Sequence, residues 1–182
     1  MLRAVTILTL ALGMALGCVP RAGAVPPGSD LSGEAFAVCR QAERTSGDDA
    51  RALLEHGVAL AERAVAADAA DARAHFALFC NLGRRLQTTG RIFTHPFELM
   101  RALRALDRAV ELSPEDPDVA TAKGVLLLNL PHLFGGDAVR GEEWLRHALQ
   151  VDPHHCVARW YLGDALSRRG ADAEARTLRE TC

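Results

Sequence analysis

The chain has 182 residues, enough for one domain with its own core, and its 21 Lys and Arg against 23 Asp and Glu leave a formal charge of −2. A balance this even excludes the single-sign field that a nucleic acid or an anionic membrane would draw on. Apolar residues make up 49 % but aromatics only 5 %, and Ala with Leu supplies most of the apolar content, which suits close helix packing and argues against a strand-built domain.

At the N-terminus, Arg3 precedes an apolar run from Val5 to Gly17 that closes on small residues, the layout of a secretory signal over residues 1–17. The run, about 13 residues, is short of the roughly 20 that span a bilayer core. Two cleavage readings follow. Ala15-Leu16-Gly17-Cys18 resembles a bacterial lipobox, in which the Cys18 thiol is acylated and becomes the new N-terminus. Ala22-Gly23-Ala24 is instead an A-x-A site, after which signal peptidase would release a soluble protein beginning near Val25. Either way the chain is expected to be exported, periplasmic or lipid-anchored in the cell envelope, with 18–32 as a flexible tether and 33–182 as the folded domain.

The folded part divides into pairs of helices. A first pair runs from Gly33 to Ala69, its second helix ending at Ala61-Glu62-Arg63-Ala64. Phe79, Leu82-Gly83 and Leu86 mark the next helix, and an inserted loop from Gln87 to Pro96 separates it from a partner. That partner carries Leu99, Ala102, Leu103, Leu106, Ala109 and Val110 at i, i+3, i+4, i+7 spacing, one apolar stripe with Arg101, Arg104, Asp107 and Arg108 outside it. The third pair holds Val125, Leu128, Gly141, Leu145 and Ala148. The last holds Leu162-Gly163, Leu166, a turn at Gly170, and Ala175. Asp116-Pro117 and Asp152-Pro153 each set a carboxylate before a proline, a pattern for helix starts. Eight helices are expected, and no strand pattern competes.

Leu128 lies 34 residues before Leu162, and 34 is the period of the tetratricopeptide repeat. The Leu-Gly, turn-Gly and Ala positions of the last two pairs resemble that family, and the resemblance extends over Gly33 to Cys182. It implies an all-α fold, a right-handed α-solenoid of about four tetratricopeptide-like hairpins. In its register Asn129 replaces the first-helix Gly of the third unit, and Gly141 takes the place of the small Ala of its second helix. A solenoid presents a concave surface lined by its first helices. Arg84, Lys123, Trp160, Asp164 and Arg168 fall at positions pointing into it, with Trp160 as the anchor of a groove or, alternatively, a core residue; Trp and Arg are the types most enriched at binding hot spots. With Cys18 set aside, four cysteines remain. In the repeat register Cys156 begins the last first-helix and Cys182 ends the last second-helix, which pairs them and leaves Cys39 with Cys80 by elimination; four buried thiols are the alternative.

A narrower resemblance lies in the segment Leu130-Pro131-His132-Leu133-Phe134-Gly135-Gly136-Asp137. It is similar to the TatT accessory lipoproteins of TRAP transporters and to the regulator of microtubule dynamics group, helical solenoids of which the TatT proteins are periplasmic and associated with ligand uptake. The same residues have a structural reading: Gly135 and Gly136 make a tight turn, Asp137 caps the next helix, and Leu133 or Phe134 tucks into the core. The functional alternative sets His132 and Phe134 on the rim of a binding pocket. His154-His155-Cys156 lacks the i, i+4 spacing of helical metal pairs, and His56, His75, His95 and His147 stand alone, so no metal is expected. No nucleophile triad, phosphate loop or dinucleotide fingerprint is present. The expectation is a protein that is not an enzyme, needs no cofactor, contacts no nucleic acid, and binds a protein or peptide in its groove. The alternative is a TatT-like periplasmic lipoprotein serving a TRAP solute transporter, for which a small-molecule ligand is implied.

Overall fold

A computed structural model describes residues 30–90 and 94–180. Among these the chain is all-helical: α1 (Asp30–Ala42), α2 (Gly47–Ala67), α3 (Ala72–Thr88), α4 (Pro96–Leu112), α5 (Pro117–Asn129), α6 (Ala138–Val151), α7 (Cys156–Arg168) and α8 (Asp172–Glu180), with a 3-10 turn at His132–Phe134. Consecutive helices pack as four hairpins, α1 with α2, α3 with α4, α5 with α6 and α7 with α8. Neighbouring hairpins meet through α2 and α3, α1 and α3, α4 and α5, α6 and α7, and α5 and α7. The signal segment, Cys18 and most of the expected tether lie outside the described residues, as does Cys182. The tether's last residues do not behave as a tether: α1 already begins at Asp30, and Ser32 is fully buried.

The helix starts follow from capping chemistry. Asp71 accepts a hydrogen bond from the Ala74 amide, Asp116 accepts from Asp118 and Val119, and Asp137 accepts from Arg140, each satisfying amides that a helix start leaves unpaired. Asp152 departs from expectation. Its backbone closes α6 and its carboxylate accepts from the His154 amide, so α7 starts three residues later, capped by the ring of His155 on Ala158.

Three apolar clusters run along the chain. One joins α1 to α4 through Ala35, Val38, Ala61, Leu82 and Ala102, and another joins α5 to α8 through Ala120, Leu145, Leu162, Leu166 and Ala175. Between them, Leu106 and Ala109 of α4 meet Val119 of α5, flanked by Phe76 and Phe79. Most of these side chains are Ala or Leu, so helices approach closely and the burial per contact comes from leucines, each contributing about 1.5–3 kcal/mol when fully buried.

Two further links fix the halves internally. Cys39 and Cys80 form a disulfide between α1 and α3, Cα atoms 6.2 Å apart, as the repeat register anticipates. In the other half Gly124 and Gly141 face each other across α5 and α6. A Cβ on Gly124 would stand 2.8 Å from the Gly141 carbonyl oxygen, and one on Gly141 would stand 2.8 Å from Leu128 Cγ. The glycine of α5 that faces α6 is therefore Gly124, and Asn129, which the repeat spacing set in a glycine's place, is the last residue of α5. The 34-residue count from Leu162 missed Gly124 because 39 residues separate the caps Asp116 and His155, the loop before α6 being longer than the turn before α8.

Candidate partner-binding groove

The face of α7 gathers three of the five residues expected in the groove. Trp160, Asp164 and Arg168 follow at i, i+4, i+8, and Val157 extends the stripe toward the helix start, so the four lie on one side of the helix. Trp160 is 55 % exposed, with its ring edge-on to Tyr161 at 4.9 Å, and Val157 is also exposed. The stripe ends on an ion pair, Arg168 Nη2 lying 2.6 Å from Asp164 Oδ2. An indole beside a valine and a half-neutralised guanidinium can bury an apolar side chain and still bond a carboxylate or a carbonyl.

Arg84 and Lys123 do not join that stripe. Arg84, on α3, is paired with Glu43 just beyond α1. Lys123, on α5, donates to Asp107 of α4 at 2.5 Å, and only 18 % of its side chain is exposed. Both tie neighbouring helices together. Charge pairs between helices of this kind cannot be read from repeat spacing, because the spacing orders positions along one helix and says nothing of which acid the next helix presents.

The glycine turn between α5 and α6 is held by its own backbone. Phe134 and Gly136 amides bond the Pro131 carbonyl at 2.8 and 3.1 Å, and the Asp137 amide bonds Leu127 at 2.9 Å. Gly135 sits at φ 88°, a conformation suited to glycine, and a Cβ on Gly136 would stand 1.7 Å from the Leu130 carbonyl oxygen. The pair of glycines and the capping Asp137 thus build the turn. Neither apolar residue of the turn enters the core: Leu133 is 89 % and Phe134 38 % exposed, and His132 is exposed too. The three-residue 3-10 turn carries these side chains outward, where the sequence reading had one of them tucked in.

His155 was singled out in the sequence beside Cys156, and its work lies elsewhere. With Nδ1 accepting from the Ala158 amide at 3.2 Å, Nε2 carries the proton and donates to Asp118 at 2.9 Å, fastening the start of α7 to the start of α5. Close by, a cleft of about 50 Å³ is lined by Phe36, Arg73, Phe76, Asp116, Asp118 and Val119, from α1, α3 and α5. Phe36 and Phe76 meet at a tilt on its apolar side, ring centroids 5.4 Å apart. Burial pushes the Asp116 carboxyl above the ordinary carboxylate range and Asp118 adds to the rise, against the amides of Val119 and Asp118 and the charge of Arg73, which pull it down. Cys156 opens α7 as expected and is exposed, while its expected partner Cys182 falls outside the described residues.

No protein-family model matches the chain, and no curated protein matches it.

Proposed function

We propose that the chain is an exported, tetratricopeptide-like solenoid that works without catalysis, holding a segment of a protein partner against the α7 face. The observation that carries the reading is the exposed stripe Val157, Trp160, Asp164, Arg168 on a helix whose opposite side is buried through Ala158, Leu162 and Leu166. Large aromatics left half in water on a rigid helix are the usual anchors of peptide-binding grooves. The stacking of four consecutive hairpins accords with a solenoid, and the Cys39–Cys80 bond accords with an oxidising, exported setting such as the periplasm. Anchoring through lipid on Cys18 would hold the groove at the envelope.

The test is capture of a defined envelope partner by the immobilised wild-type chain against the double variant Trp160→Ala, Arg168→Ala. Loss of capture with an unchanged melting temperature is the expected result, and a double variant that still captures the same partner removes the α7 face from the binding site.

A second reading rests on the outward Leu133 and Phe134 beside Gly135-Gly136-Asp137. In it the chain is a TatT-like accessory that touches a component of a TRAP solute transporter through this turn. Leu133→Ser would then abolish the contact while Trp160→Ala left it intact.

A further inference from the structure

The register of α1 against α3 leaves a large cavity in the first half of the molecule. Cys39 bonds Cys80 and Glu43 pairs with Arg84, both offsets being 41 residues, so the two helices run parallel and in step. Past the disulfide, α1 has three residues left, ending at Ala42, whereas α3 has eight, ending at Thr88. The five-residue excess carries α3 about 7.5 Å beyond α1 at 1.5 Å per residue. Over this overhang α3 no longer has α1 as its neighbour. The turn of the first hairpin and the first turns of α2 form one wall, the end of α3 and the start of α4 the other, and between them lies a cavity of about 940 Å³.

That volume falls within the roughly 300–1,000 Å³ of small-molecule sites. The lining is unlike the apolar walls usual in such sites. Among the described residues its charged groups are Arg51 and Arg85 against Glu55 and Glu98, two of each sign, and Arg85 Nε donates to Glu98 at 2.7 Å. Ser46, Thr88 and Thr89 add hydroxyls, and Ser46 does not spend its own on capping α2. Among the described lining residues none is aromatic and none is a large aliphatic. A balanced wall gives no advantage to a net anion or cation, and a wall whose apolar surface comes only from Ala50 and the stems of Thr, Arg and Glu side chains offers an acyl chain or a flat aromatic little to pack against. What it matches is a solute whose surface alternates donors and acceptors, since each hydroxyl can bridge a guanidinium and a carboxylate held side by side.

We propose that this cavity binds a neutral polyhydroxylated solute of mono- or disaccharide size. The disulfide, the Glu43–Arg84 pair and the Arg85–Glu98 pair fix its walls before any ligand arrives, so little ordering has to accompany binding. The site is separate from the α7 face and does not rest on it.

Saturation-transfer NMR and isothermal titration on the folded chain, with glucose, maltose and sorbitol as probes and inorganic phosphate and octanoate as comparators, decide the matter. At least one of the neutral probes should bind. Its affinity should fall by about tenfold or more, the loss of one well-made set of polar contacts, in Thr88→Trp, which fills the cavity from an exposed helix position, and in Arg51→Leu with Glu55→Leu, which removes lining charges near its mouth. Trp160→Ala should leave it unchanged. Both cavity variants alter exposed side chains, and a melting curve on each shows that the fold survives; should Thr88→Trp fail to fold, the Arg51 and Glu55 double variant carries the test. The proposal is overturned if no neutral probe binds, if phosphate or octanoate binds in preference, or if the folded cavity variants retain wild-type affinity.

Discussion

Between α1 and α3 the backbones are held by a covalent bond and an ion pair, Cys39–Cys80 and Glu43–Arg84; between α5 and α6 they are held by the absence of side chains, Gly124 against Gly141. Apart from the 13-residue α1, the first half is built from longer helices, 21 residues in α2 and 17 in α3 and α4, against 13, 14, 13 and 9 in α5 to α8. Helices of unequal reach leave ends unmatched, and a cavity opens where α3 outruns α1. α5 and α6, of nearly equal reach, close against each other, and the glycines at their crossing let them do so. A cross-link tolerates imperfect packing, whereas a glycine crossing requires it to be good.

Breaking the cross-link should have the largest effect. The bond closes a loop of 41 residues, for which chain entropy assigns about 4 kcal/mol. Cys39→Ala with Cys80→Ala should lower the unfolding free energy by about that amount in urea titrations, and should loosen α1 first in hydrogen exchange. Equal unfolding free energies for the double variant and the wild type would show that the first half does not depend on its clip. Next is the glycine crossing. Gly141→Ala puts a methyl against Leu128 and the Gly124 carbonyl, and overpacking of this kind costs about 1–3 kcal/mol. Gly83 supplies the contrast within the first half. A Cβ there meets only Phe79, at 3.9 Å, so Gly83→Ala should stabilise the chain by roughly 0.5–1 kcal/mol through the lower entropy of the unfolded state. If Gly83→Ala destabilises and Gly141→Ala does not, the assignment of crossings to the two halves is reversed.

How much of this was legible in the sequence depends on the range of the signal. The all-helical class, the Asp116-Pro117 start and the Cys39–Cys80 pairing rest on local pattern and periodicity, and they are present. The repeat register puts the start of α7 at Cys156, where it is, but the Asp152-Pro153 capping pattern goes unused because the His155 ring three residues on serves as the cap, a role that residue type seldom takes. Gly124 was overlooked because the 34-residue count was applied across a loop of different length. For the sites, the Val157 to Arg168 stripe follows from helix geometry once α7 is known. The pairings of Arg84 and Lys123 depend on what adjacent helices present, and the cavity depends on where two helices end relative to each other; neither quantity is carried by a motif.

The smallest effect lies at the seam between the halves. Asp116 caps α5, faces Arg73 of α3, and has its carboxyl raised above the ordinary range mainly by burial. A group whose folded-state value is raised binds its proton more tightly when folded. Its contribution to stability is therefore favourable in acid, below the unfolded value, and is lost as pH rises through the folded one. Asn keeps an oxygen for the Asp118 and Val119 amides but carries no charge to desolvate. Asp116→Asn should accordingly match or exceed the wild type at neutral pH, and the difference should shrink as pH falls into the range where Asp116 takes up its proton. Denaturation midpoints of both proteins measured across that range check the sign. An advantage for Asn that grows on acidification would mean that attraction to Arg73 outweighs burial, and that the two halves are joined at this seam by an ion pair as well as by the apolar contact of Leu106 and Ala109 with Val119.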